Sequence, residues 1–582
     1  MDFWPAPEAW RPWLRGLRWL VVTVAGLVSA AALVAVHGFG GEEKAHLARL
    51  GFQVAAWALA VELLLKAWLT PRWSRFLRSR AVPLVLLAAV AAQALFLRLS
   101  GGDPAQRTGW VALLPQAYLI SLQIFILGSL TLEAVRVNRR LAHLRVRPGR
   151  LVLGLFAGLI LVGTLLLLLP RAAAPGVDIS PVDALFTSTS AVCVTGLIVR
   201  DTAGDFSLLG RALILVLVQL GGLGIMSVTA FWALVGGRGL GVRERAVLAD
   251  LLKTKVAGRV VELLKGIVLL TLAVEAAGAL VLWLLMARAG VPHPLGHAVF
   301  HSISAFCNAG FSSFDDSLVR FSSGWGVQMT VMVLIILGGV GFSTLLATPL
   351  WIWARARGRR RHLSLSARLI WIVSGSLWLG GFVLTCLLEW NGALGSLPAS
   401  ERLWAAAFHS VTTRTAGFNT IDVGALSSPT LLLTMLLMFI GGAPGSTAGG
   451  IKVTTLAVMV GAVMGIFRGV DRVQLGRRRV DPANVREALG VVFLGGMAVV
   501  LGILLLLLVE EREFLPLAFE ALSALGTVGL STGITPQLGT AARLILVGLM
   551  FLGRLGPLTL VLAVGGRRPH SHDYPTEHVP VG

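Results

Sequence analysis

Apolar residues in this chain are gathered into runs of about twenty, the length needed to cross a bilayer, with the polar residues between them. Runs near 16–36, 50–70, 81–99 and 109–135 predict four spans ahead of the basic segment Arg136 to Arg150. From Leu151 the rhythm changes to a long apolar run, a short amphipathic run, a glycine-centred motif and a second long apolar run. That unit occurs four times. Its central glycines, Gly196, Gly310, Gly417 and Gly529, are spaced 114, 107 and 112 residues apart, so a quasi-fourfold assembly is expected. The fold class is all-α and polytopic. An N-terminal four-helix extension (1–144) precedes repeats at 145–236, 237–357, 358–470 and 471–566, and a tail at 567–582 closes the chain.

Composition agrees. Of 582 residues 56% are apolar and the mean hydropathy is +0.81, which excludes a water-soluble globule. The formal charge of +21 does not indicate nucleic acid, because the cations form short clusters between apolar runs as cytoplasmic loops do. Arg72, Arg75, Arg78 and Arg80 separate the second and third runs, whereas the flanking loops carry Glu42, Glu43 and Asp103. The inter-unit segments Arg238 to Arg259, Arg355 to Arg368 and Arg468 to Arg486 are likewise basic. Both termini are therefore expected in the cytoplasm of a cell-membrane protein, and each glycine motif faces outward. The first run follows Arg11, Arg15 and Arg18 in the manner of a signal peptide, but its length and the lack of a cleavage site mark a retained span. Cys193, Cys307 and Cys386 have no metal-ligand or disulfide spacing.

The first motif reads Thr187-Ser-Thr-Ser-Ala-Val-Cys-Val-Thr-Gly-Leu197 after Pro181-Val-Asp-Ala-Leu-Phe, a stretch suited to a short helix that enters the membrane and stops. Its counterparts are His301-Ser-Ile-Ser-Ala-Phe-Cys-Asn-Ala-Gly-Phe311, His409-Ser-Val-Thr-Thr-Arg-Thr-Ala-Gly-Phe418 and Glu520-Ala-Leu-Ser-Ala-Leu-Gly-Thr-Val-Gly-Leu530. A dehydrated monovalent cation needs oxygen ligands, and backbone carbonyls supply them where no side chain intrudes. Glycine permits the dihedrals that turn them inward. The bland alternative, glycines that let helices pack closely, explains one such motif better than four at one period.

These residues resemble the four filters of the Trk/Ktr/HKT superfamily of potassium transporters, in Ala191 to Leu197, Ser304 to Phe311, Arg414 to Thr420 and Thr527 to Gly533. The similarity runs over about 145–582 and is greatest to the KtrB-type membrane subunit, whose carboxyl end Tyr574 to Gly582 also resembles. The resemblance implies K+-binding filter residues at Val194, Thr195 and Gly196; Asn308, Ala309 and Gly310; Thr415, Ala416 and Gly417; and Thr527, Val528 and Gly529. Gly196, where sodium-preferring relatives carry serine, implies potassium. It also implies a homodimer under a cytoplasmic ring of nucleotide-binding, RCK-type, KtrA-like subunits. Residues 1–144 depart from the eight-span pattern.

Phe439-Ile-Gly-Gly-Ala-Pro-Gly-Ser-Thr-Ala-Gly-Gly-Ile-Lys452 interrupts the third unit's last apolar run with five glycines and a proline, so a continuous helix is not expected there. By resemblance this is an intramembrane gate loop, with Gly441, Gly442, Gly445, Ser446, Thr447, Gly449 and Gly450 as its residues. Arg554 lies eleven residues past Arg543, roughly 16 Å along a helix, a depth at which an arginine needs carbonyls, a carboxylate or water. Snorkelling is the alternative, since the helix is expected to end about ten residues later. The resemblance pairs Arg554 with carbonyls around Gly441 to Gly450 as a barrier. Lys452 either adds to that barrier or anchors the next helix. Arg414 is expected to brace the third filter from behind, with Glu520 offering a carboxylate partner. Glu62 and Lys66 form a local pair one turn apart, and the fourth run lacks the arginine repeat of a voltage sensor.

The leading reading is a potassium uptake membrane subunit with no covalent cofactor and no enzymatic role, embedded in the lipid bilayer and indifferent to nucleic acid. Sodium activation or coupling stays open. The alternatives are a sodium-coupled alternating-access carrier or sodium-conducting relative, and an intramembrane enzyme using His301 or His409. No phosphate-binding fingerprint lies in a soluble segment, so nucleotide control would come from another polypeptide.

Overall fold

The computed structural model describes residues 60–61, 148–224, 260–359, 362–470, 472–476 and 478–556. The four N-terminal runs apart from residues 60–61, the Glu62 and Lys66 pair, the Arg238 to Arg259 segment and the tail lie outside them. The described chain is almost wholly helical. In order it forms α1 (Pro148–Leu167), α2 (Pro181–Cys193), α3 (Leu208–Leu223), α4 (Val260–Arg288), α5 (Pro294–Phe306), α6 (Trp325–Gly339), α7 (Phe342–Ala356) and α8 (Leu365–Glu389). There follow α9 (Ala399–Thr412), α10 (Ser428–Phe439), α11 (Val453–Phe467), a hairpin of β1 (Gln474–Leu475) and β2 (Arg478–Arg479), α12 (Pro482–Val509), α13 (Phe514–Gly526) and α14 (Thr540–Leu555).

Four of these helices, α2, α5, α9 and α13, have only 13 or 14 residues, about 20 Å, too short to cross a bilayer. All four carry a proline in their first turn or just before it, where its missing N–H costs nothing. In α2 the Ser180 hydroxyl also caps the Asp183 amide at 3.1 Å. All four are buried in their second halves, surrounded by the longer helices. The surrounding α4, α8 and α12 are long and apolar enough to span, and they present Leu269, Leu387 and Leu508 outward with more than 65% of each exposed. Such apolar outer faces belong in lipid.

Packing closes the set into a ring. Each helix that follows a short helix packs on the next short helix: α3 on α5, α6 on α9, α10 on α13, and α14 back on α2. The last contact joins residues some 360 positions apart in sequence, so the last described helix returns to the first short one.

One difference from the sequence reading concerns the second apolar run of the first, second and fourth units. The pattern predicts a continuous span there, but α3, α6 and α14 each stop at a Gly-x-x-Gly motif, whereas the stop of α10 before Gly441-Gly442 is the one the sequence predicts. Gly224, Gly341 and Gly556 there adopt nearly the same left-handed conformation, with φ of 76°, 84° and 81°. Only glycine takes it without strain. Beyond Gly341 the chain resumes as α7, turned 106° from α6. In the third unit the same break is a thirteen-residue loop, 440–452, between α10 and α11.

Candidate functional site

The four glycines stand against one another around one axis. A methyl placed on Gly196 would lie 2.4 Å from the Ala309 carbonyl oxygen, on Gly310 2.8 Å from that of Ala416, on Gly417 2.4 Å from that of Val528, and on Gly529 2.1 Å from that of Thr195. Every unit touches the next at this point and the fourth touches the first. None of the four positions has room for a side chain.

The loops share one backbone pattern. Val194, Asn308, Thr415 and Thr527, two residues before each glycine, have positive φ values of 58°, 58°, 75° and 49°, and the glycines themselves have φ from 69° to 94°. The residue between is not left-handed. Alternating hands direct successive N–H groups to one side of the strand and carbonyls to the other. The N–H side faces the short helix: Thr195, Ala309 and Val528 donate to the carbonyls of Ser190, Ser304 and Ser523 at 2.8 to 2.9 Å, and Ala416 donates to Thr412 at 3.0 Å. The same four helix residues use their hydroxyls as well. Ser190 and Ser523 accept from the Gly196 and Gly529 amides, while Ser304 and Thr412 donate to the Phe311 and Phe418 carbonyls. With these amides bonded to the short helices, the close contacts between neighbouring loops are made to carbonyl oxygens. The buried hydroxyls of Thr195, Thr415 and Thr527 have no protein partner.

Below the ring lies the 440–452 loop, strapped to three units. Ala443 and Thr447 amides donate to Gly339 and Gly338 at the break of α6, the Gly445 carbonyl accepts from Phe342 at the start of α7, and the Thr447 hydroxyl donates to Phe306. Arg554 donates to the carbonyls of Thr447 and Gly221, crossing from the fourth unit to the third and the first. Arg414 donates to the Gly441 carbonyl at 2.7 Å and stacks 5.3 Å from the Trp378 ring. Lys452 reaches back to Ala448 and Gly449 carbonyls at 2.8 and 3.1 Å. Gly449 sits under the Thr527 side chain, so closely that a methyl there would lie 1.9 Å from its hydroxyl. A cavity of about 880 Å³ opens beyond, lined among others by Phe342, Gly445, Lys452 and Gly553.

Residues 158–569 match the family described as TrkH, cation transport protein. This chain belongs to that family. The TrkH-family chain is 37% identical over 440 residues to the Ktr system potassium uptake protein B of Bacillus subtilis, covering 75% of this chain and 96% of that one. It is 35% identical over 465 residues to the potassium/sodium uptake protein NtpJ of Enterococcus hirae, covering 78% and 100%. The solved potassium transporter TrkH from Vibrio parahaemolyticus shares the fold, with a TM-score of 0.60 at 21% identity over 84% of this chain and 98% of that one. The chain is thus a membrane cation transporter of the Trk/Ktr type.

Two sequence expectations about this TrkH-family chain are corrected by its side chains. Glu520 does not meet Arg414. Its carboxylate accepts from Ser531, Thr532 and Thr535, on the side of the fourth loop away from residues 440–452. The reason is position: Glu520 shares its place in the short helix with Thr187, His301 and His409, a full helical segment before the glycine, whereas Arg414 sits beyond the end of α9. His301 contacts Ser312 at 3.0 Å and His409 contacts Thr434 at 3.0 Å in the same way. The second correction is that α14 ends at Leu555, one residue past Arg554, so no further ten residues of described helix carry the side chain toward water.

Sequence reasoning missed two features. Asp183, buried in the first turn of α2, pairs with Arg200 at 2.9 Å and Arg543 at 2.5 Å, and thereby ties α2 to α14. The helix breaks are the other. Gly221-Gly222-Leu-Gly224, Gly338-Gly339-Val-Gly341 and Gly553-Arg554-Leu-Gly556 are one recurring motif, in which Arg554 takes the place of a glycine.

Proposed function

We propose that this chain is the membrane subunit of a potassium uptake system, conducting K+ through the ring of four glycine loops. The observation that carries the reading is the closed contact of Gly196, Gly310, Gly417 and Gly529 with the carbonyl of the neighbouring loop. In this reading each unit is a repeat of helix, pore helix and helix, with repeats at 145–236, 237–357, 358–470 and 471–566, and the four surround one pore. A cation entering the ring exchanges its water for carbonyl oxygens, supplemented by the unpartnered threonine hydroxyls. The 440–452 loop is the gate, and Arg554 holds it across the path as a positive barrier. Potassium is favoured over sodium on the glycine at position 196, and the naming of one relative as a potassium/sodium uptake protein keeps sodium flux within the test.

The glycine loops face outward and both termini inward. The subunit works as a homodimer with cytoplasmic RCK-type regulatory subunits, an expectation supported by relatives named as parts of a Ktr system. Expression in a potassium-uptake-deficient bacterium tests the function. Wild type restores growth at low potassium, and Gly196→Ser restores it less well while admitting more sodium. Failure of wild type to restore growth at any sodium concentration would sink the reading.

A further inference from the structure

We propose that α7 is a binding site for anionic phospholipid headgroups, and that an occupied site holds the 440–452 loop in its docked position. The proposal rests on the reading of that loop as the gate and of α7 as cytoplasmic.

The first end of α7 belongs to the loop. The Phe342 amide donates to the Gly445 carbonyl at 3.0 Å, and a methyl on Gly341 would lie 2.8 Å from the Pro444 carbonyl oxygen. Any rotation of α7 about the Gly341 break therefore displaces the loop. The other end carries cations. Arg355, Arg357 and Arg359 are all exposed, and among the described residues they stack on tryptophans and pair with no carboxylate: Arg357 lies 4.0 Å and Arg359 5.8 Å from the Trp353 ring, and Arg355 lies 5.8 Å from that of Trp351. Between the ends, Leu350, Ile352 and Trp353 are about half exposed. Because α7 turns 106° from α6, an α6 set along the bilayer normal leaves α7 close to parallel with the bilayer plane.

Arginines held over tryptophans beside uncovered aliphatic residues, on a helix lying crosswise, match the headgroup level of a membrane leaflet. The charge selects the lipid. Three guanidinium groups favour phosphate that retains net negative charge, as in phosphatidylglycerol, over zwitterionic phosphatidylcholine. A bond from Trp371 to Thr348 at 3.0 Å fixes the middle of α7 to α8, and the buried Phe342 and Leu345 hold its first turn in the core, while Leu350, Ile352 and Trp353 further along are left uncovered. Lipid contact is thus positioned to set its angle, and through Phe342 the seating of Gly445.

The test uses the full chain and the variant R355Q/R357Q/R359Q, purified in detergent and compared by native mass spectrometry for retained phosphatidylglycerol. Wild type retains it roughly a hundredfold more strongly, at about fivefold per arginine. In vesicles, adding phosphatidylglycerol to phosphatidylcholine lowers potassium flux through wild type and leaves the variant at its phosphatidylcholine level. A general surface-potential effect would act on both proteins and raise cation flux instead, so equal responses overturn the coupling. Equal retention of phosphatidylglycerol overturns the site. Loss of a dimer by the variant, with headgroup retention unchanged, assigns the surface to a second copy and also overturns it. If wild type passes no potassium in any vesicle, the transport reading fails, and headgroup retention still decides the binding site.

Discussion

Arg554 and Thr447, 107 residues apart, meet where the guanidinium of α14 donates to a carbonyl of the 440–452 loop. Its second bond, to Gly221, ends on the break of α3, so one side chain ties the loop to the two units flanking the fourth-to-first seam. A hydrogen bond to a charged group contributes about 1.5 to 3 kcal/mol. Arg554→Gln keeps length and polarity but removes the charge, and is expected to raise unstimulated potassium flux about tenfold or more in proteoliposomes. Arg554→Lys, a point charge with no planar fork, gives an intermediate rise. Unchanged basal flux in Arg554→Gln would remove the arginine from the gate.

Replacing any of the four ring glycines by alanine brings a methyl to within 2.8 Å or less of a neighbouring carbonyl oxygen at a positive φ. Strain of about 1 to 3 kcal/mol is expected at each position. Because the strain falls on the loops and not on the outer helices, Gly310→Ala and Gly417→Ala should still insert and purify as wild type does. They should lose potassium over sodium discrimination, read from competition of unlabelled sodium against rubidium uptake. Full discrimination in Gly310→Ala would mean that the ring does not select.

These glycines were legible because they recur at a near-constant period, and the Ser or Thr ahead of each could be read as its upstream companion. The alternating backbone was not legible: of Val194, Asn308, Thr415 and Thr527, three are β-branched residues that disfavour a positive φ and the fourth is an asparagine. Only the surrounding hydrogen bonds force them into the left-handed region. The helix breaks were hidden for a different reason. Leu, Ile and Gly dominate α3, α6 and α14, and hydropathy does not separate a packing glycine from one with positive φ. Spacing would have exposed them, since Gly221, Gly338, Gly441 and Gly553 follow the ring glycines by 24 to 28 residues. The Glu520 partnership failed because it matched charge without placing each residue along its short helix.

Arg414 occupies the third loop's inner shoulder, next to Thr415, with its other end on Gly441. It is 5% exposed, so Arg414→Gln strands the Gly441 carbonyl and the face of Trp378 together. A loss of about 2 to 4 kcal/mol is expected, visible as a lowered unfolding midpoint in detergent. Arg414→Lys should recover part of the midpoint, because a primary ammonium reaches one carbonyl but cannot also stack as a plane. An unchanged midpoint in Arg414→Gln would show that the brace is dispensable.

Asp183 closes the ring of helices at the N-terminal end of α2. It is 1% exposed and accepts from Arg543 and Arg200, of which Arg543 is the more buried and comes from the helix that packs back on α2. Asp183→Asn preserves the shape but leaves two arginines facing a neutral amide. Removing one partner of a fully buried pair costs about 3 to 5 kcal/mol, and the partial exposure of both arginines lowers that to roughly 2 kcal/mol. The unfolding midpoint should fall, and added salt should narrow its difference from wild type by weakening the repulsion between the two released cations. Arg543→Gln should be milder, since Arg200 still neutralises Asp183. If Asp183→Asn and Arg543→Gln were equally destabilising and salt changed neither, the contact of α14 with α2 would rest on packing alone, and the closure of the ring would owe nothing to this charge.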